Sequence, residues 1–124
     1  MTKLSAFNFQ DWIDEHRNLL KPPVGNKQIW EDADMMAFVV GGPNQRTDFH
    51  DDPVDEFFYQ IEGDMVLKIH DAGEFYDVVV RAGDVALLSR IGLDVIQLFA
   101  VHQPPARGHH GGLAPFLRMS DPCR

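Results

Sequence analysis

At 124 residues the chain is long enough for one domain with a real buried core and too short for two. Hydrophobic residues at 44% and charged residues at 24% match ordinary globular sequences, which excludes a disordered or fibrous chain. A net charge of −8 without a basic cluster argues against a nucleic-acid partner, and the lone Cys123 excludes an intrachain disulfide or an all-cysteine metal site. No apolar stretch reaches membrane-span length or forms a signal-peptide core, so a cytoplasmic location with no membrane partner is expected.

In chain order, Asn8 can cap a helix in which Phe9, Trp12, Ile13, His16, Leu19 and Leu20 recur at three- and four-residue spacing, until Lys21-Pro22-Pro23 stops it. From Lys27 onward short apolar or alternating runs separated by turn residues predict strands over 28–30, 35–40, 45–50, 56–61, 65–69, 75–80 and 85–88. Gly63, Gly73 and Gly83 fall at a regular spacing, which predicts a meander of similar hairpins and an all-β sandwich or barrel preceded by a short helix.

The composition changes after Leu88. Residues 89–124 contain no Lys or Glu, and their four arginines against Asp94 and Asp121 give a net charge of +2, which leaves −10 on residues 1–88. The chain is therefore divided into residues 1–88 and a divergent segment, 89–124. The run 95–101 can still form a strand, but the proline- and glycine-rich remainder is expected to be irregular. A shifted reading frame, an alternative exon or an unspliced intron would produce such a break, and the coding DNA read in its neighbouring frames tests it.

The stretch 41–69 carries the chemistry. His50 and Glu56 lie three residues to either side of Pro53. If 51–55 is a hairpin connection, the two become opposite each other on antiparallel strands and face the same side. An imidazole and a carboxylate so placed are two members of a facial triad for iron(II), whose third member is a second histidine. Strand alternation puts Phe58 and Gln60 on the face of Glu56, so the carboxylate projects into a partly apolar interior and needs a partner there. The same pair is more often a surface contact or a hydrogen-bonded turn than a metal site. His16 and His70 are read as packing or surface histidines. The acidic residues Asp48, Asp51, Asp52 and Asp55 lack the spacing and central glycine of a calcium loop, and are read as a solvated turn.

The segment from Gly42 through His50 to Gly63 resembles the first motif of the cupin superfamily, with Asp48 where many cupins have an additional histidine. PPVGNKQIW, VVGGPNQRTDFHDDPVDEFFYQIEGDMVLKI and RAGDVALL resemble the 3-hydroxyanthranilate 3,4-dioxygenase family from about Phe9 to Leu88. The resemblance implies a cupin β-barrel with a short N-terminal helix, which the divergent C-terminal end can leave incomplete. It implies an Fe(II) cofactor held by His50 and Glu56, with Glu56 also touching the substrate and Arg46 beside dioxygen. The implied reaction is ring cleavage of 3-hydroxyanthranilate, a small aromatic substrate, by O2. Its product, 2-amino-3-carboxymuconate semialdehyde, cyclises to quinolinate and links tryptophan breakdown through the kynurenine pathway to NAD synthesis. A homodimer is compatible with this reading.

The second cupin motif departs from the pattern. Counted from Gly83, its proline place holds Ser89 and its third-ligand histidine place holds Asp94. The family's substrate-carboxylate arginine falls on Leu98 and its later substrate-binding glutamate on His109. Asp94 or His102 could supply the third ligand only through a remodelled strand. Three alternatives follow: a cupin that binds a small molecule without catalysis, a different cupin enzyme such as an isomerase, and an inactive truncated product.

Overall fold

A computed structural model describes residues 3–21, 25–41, 44–45, 54–71, 73–89, 98–103 and 115–120, with 44–45 and 98–103 as backbone. Asn8 starts the helix because its side chain accepts a 2.9 Å hydrogen bond from the backbone N–H of Asp11, a donor the first turn leaves without an intrahelical partner. Helix α1 runs Phe9–His16 and tightens into a 3-10 turn, Arg17–Leu19, ending before the residues expected from periodicity alone. The approaching Pro22 disfavours helical geometry in the residue before it, and the tighter turn lets the Leu20 N–H reach the Arg17 carbonyl at 3.1 Å. Among the described residues, no helix is long and apolar enough to cross a membrane.

Among the described residues nine strands follow: β1 (Asn26–Gln28), β2 (Met36–Val40), β3 (Asn44–Gln45), β4 (Glu56–Gln60), β5 (Asp64–Asp71), β6 (Glu74–Arg81), β7 (Val85–Leu88), β8 (Leu98–Gln103) and β9 (Phe116–Ser120). They form two antiparallel sheets, in the orders β1-β2-β9-β4-β7 and β3-β8-β5-β6. Alternation along each strand decides which side chains meet between them. On β4, Glu56, Phe58 and Gln60 are buried while Phe57 and Tyr59 are only partly so, and on β5 Met65, Leu67 and Ile69 are buried. Phe58 and Phe116 from one sheet join Met65, Leu67, Ile69 and Val80 from the other in the main core. A second cluster lies outside the first sheet, where α1 and the following turn lay Ile13 and Leu20 on Val39. The partly buried ion pair of Arg17 with Glu62, at 2.6 Å, ties this helical segment to the β4–β5 turn. That hydrogen bond, opposed in part by desolvation, raises the Arg17 pKa above its ordinary value and keeps the guanidinium charged.

The backbone after the helical segment passes close to the end of β2 at Gly41. A Cβ added there would sit 1.9 Å from the Leu20 carbonyl oxygen, a backbone atom that cannot rotate away. Gly41→Ala is therefore expected to cost about 3 kcal/mol or more, at the upper end of overpacking effects. A urea midpoint lowered at unchanged slope would show it, and an unchanged midpoint would refute it.

Two sequence expectations are corrected. The glycine turns are not equivalent hairpins. Gly73, at φ 82°, closes the β5–β6 hairpin, whereas Gly63 and Gly83 lie where the chain passes from one sheet to the other. Glu56 pairs with Leu88 of β7 on one side and Ser120 of β9 on the other, and the expected pairing of Glu56 with His50 involves a residue outside the described ones. Finally, beyond β8, which overlaps the strand expected over 95–101, the C-terminal remainder is not irregular throughout: it contributes β9, which pairs with β2 on one side and β4 on the other in the middle of the five-stranded sheet.

Candidate active site

Glu56 opens β4 and faces inward, with 1% of its surface exposed. Its neighbours on this strand and across the two ladders are Phe58, Leu88 and Ser120, so the carboxylate sits in a partly apolar interior. Such a group needs a cation or several hydrogen-bond donors nearby. Arg118 provides one. It stands opposite Phe58 on β9, one diagonal step from Glu56, and its Nη2 donates a hydrogen bond to Glu56 Oε1. A diagonal cross-strand position lies within reach of a long side chain. The Arg118 side chain is 32% exposed against 2% for that of Glu56, so the pair spans the boundary between solvent and interior. Gln60, also buried, donates from Nε2 to the Glu62 carbonyl at 2.7 Å and pins the turn after β4.

Of the expected site residues, Glu56 is placed in the interior, while His50 and Arg46 lie outside the described residues. Asp94 and His109 lie outside them as well. His102 falls on β8 in register with Val66 of β5 and Gln45 of β3, and Leu98 in register with His70. Among the described residues no three His, Cys, Asp or Glu side chains converge as a metal-binding group. A buried, inward-facing carboxylate fits one ligand of the iron site that the sequence suggests.

His16 and His70 have packing roles. The His16 ring stacks on Trp12 at 4.2 Å and its Nδ1 donates to the Trp12 carbonyl at 2.6 Å, while His70 stacks on Phe75 at 4.3 Å. Sequence reasoning missed Arg118. Its one signal was chemical, namely that a buried Glu56 requires a cation. On the other face of β9, Leu117 and Met119 line an apolar groove of about 290 Å³ together with Phe7, Phe9, Ile29 and Trp30. The groove shares no lining residue with the Glu56–Arg118 pair.

Comparison with known proteins bears on both fold and site. The family model described as 3-hydroxyanthranilic acid dioxygenase matches residues 1–97. A 3-hydroxyanthranilate 3,4-dioxygenase from Ruegeria pomeroyi is 73% identical over 88 residues, 71% of this chain and 49% of that protein. One from Jannaschia sp. is 72% identical over 88 residues, with the same two shares. The chain thus spans about half the length of these curated relatives. A cupin-2 domain containing protein from Shewanella frigidimarina superposes with a TM-score of 0.62 at 16% identity, covering 91% of each chain. The fold is that of a cupin, and among the described residues its two sheets are not closed into a barrel.

Proposed function

The chain belongs to the 3-hydroxyanthranilic acid dioxygenase family, and from that premise we propose that it serves the Fe(II)-dependent cleavage of 3-hydroxyanthranilate by O2. The product would be 2-amino-3-carboxymuconate semialdehyde, feeding quinolinate and NAD synthesis in tryptophan catabolism. The observation that supports this reading best is the burial of Glu56 on the inward face of β4, within the segment that matches the family. In this reading Glu56 and His50 hold the iron. When bound, Fe(II) supplies open positions at which an aromatic ring carrying adjacent hydroxyl and amine groups can meet dioxygen. The burial of Glu56 limits water beside its carboxylate, which strengthens the charge interactions it makes. Arg46, four residues before His50, keeps its charge at any physiological pH and offers several donors to negative charge developing on oxygen.

A second reading is an inactive or merely small-molecule-binding cupin. Asp94 in the third-ligand place and Arg118 on the Glu56 carboxylate favour it. The break after Leu88 is in this view the mark of a shifted frame or alternative exon.

One experiment separates the two. Protein loaded anaerobically with Fe(II) and given 3-hydroxyanthranilate is expected to consume dioxygen in proportion to ring-cleaved product, and His50→Ala is expected to lose that uptake. Iron uptake without ring cleavage would support the second reading, and no iron uptake would remove the catalytic one from this chain.

A further inference from the structure

The Glu56 carboxylate already carries a cation in this fold, and that cation comes from β9, 62 residues away in sequence. Resting on the reading that Glu56 is a metal ligand, we propose that Arg118 and a divalent metal ion are alternative partners of this carboxylate. Strand β9 then keeps the site charge-compensated until a metal displaces the guanidinium.

The two ends of the pair differ in a way that makes this exchange feasible. Glu56 is fixed, being 1% exposed and held in β4 between two ladder neighbours. Arg118 is set in β9, in register with Phe38 and Phe58, and its side chain is 32% exposed. Its long stem can swing the guanidinium toward water while β9 stays in place. The carboxylate cannot follow. Joint occupancy is disfavoured because a divalent ion and a guanidinium a few ångströms apart repel strongly where water is scarce. A charge-assisted hydrogen bond in such surroundings is also stronger than a neutral one, so it opposes metal entry. Metal affinity is then the intrinsic affinity multiplied by the fraction of chains in which Arg118 is swung out.

The test is Co(II) binding to the full chain, followed by calorimetry and by the visible absorption of bound Co(II). The proteins compared are the unaltered chain, Arg118→Met, Arg118→Gln and the double variant Arg118→Met with Glu56→Gln. The glutamine variant keeps a donor beside Glu56 without the charge, and serves if Arg118→Met does not fold. Removing the guanidinium charge is expected to tighten Co(II) binding about tenfold or more, a change of about 1.4 kcal/mol. The double variant is expected to lose that gain. Unchanged or weaker binding in Arg118→Met and Arg118→Gln, with the unaltered chain still binding Co(II), would overturn the competition and leave the metal site standing. Binding by none of the four would remove the metal site and the competition together.

Discussion

A chain stopped before Pro115 is expected to lose cooperative folding. Strand β9 is hydrogen-bonded on both sides, pairing five residues with β2 and five with β4, so its removal opens two sheet edges at once. Open edges of apolar strands recruit other chains. The deletion also removes Phe116, 2% exposed, whose ring lies 5.8 Å from that of Phe58 at the centre of the core. Losing a large buried aromatic side chain alone costs about 3–5 kcal/mol. Against a net stability of about 5–15 kcal/mol, that loss together with the two broken ladders leaves no folded majority. The checks are a denaturant titration followed by circular dichroism, and dye binding to exposed apolar surface. Phe116→Ala, which keeps both ladders, is expected to fall between the full and shortened chains. A sigmoidal unfolding curve for the shortened chain, at the full chain's midpoint, would show that β9 is dispensable.

Much of this fold was legible in the sequence, and the parts that were not share a physical cause. The Asn8 cap and β4 to β7 were read correctly because caps and period-two alternation are local signals. Sheet membership is not local. Gly63 and Gly83 look like Gly73 in sequence, yet only Gly73 closes a hairpin, since the others serve strands that belong to different sheets. Strand β9 was hidden because Phe116–Ser120 is a short run after a proline- and glycine-rich stretch. Its strand character comes from the two neighbours it joins. The site divides in the same way. Glu56 was visible through its place in a motif and its alternation with Phe58 and Gln60, whereas Arg118 becomes its neighbour only through β9.

Glu56→Gln is expected to separate the chemistry of this site from its architecture. Glutamine matches glutamate in size, stays on the inward face of β4, and its carbonyl oxygen can still accept from Arg118 in place of the carboxylate. What is lost is the charge, so a charge-assisted hydrogen bond becomes a neutral one, at a cost of about 1 kcal/mol. The thermal midpoint should fall by about 4–8 °C at most, because 1 kcal/mol corresponds to that shift in a domain slightly smaller than this one. Iron binding and ring cleavage should fall much further. Loss of a residue that merely supports a metal ligand costs about 10–100-fold, so loss of the ligand's charge should lower Fe(II) affinity and kcat/KM by about 100-fold or more. Comparing melting curves with anaerobic Fe(II) titrations and oxygen-uptake rates therefore gives two readouts with different expected sizes. A variant that melts as expected but retains Fe(II) affinity and turnover within about threefold would show that Glu56 is not a ligand, since 1.4 kcal/mol already corresponds to tenfold in binding. The Glu56–Arg118 pair would then be a structural contact between β4 and β9.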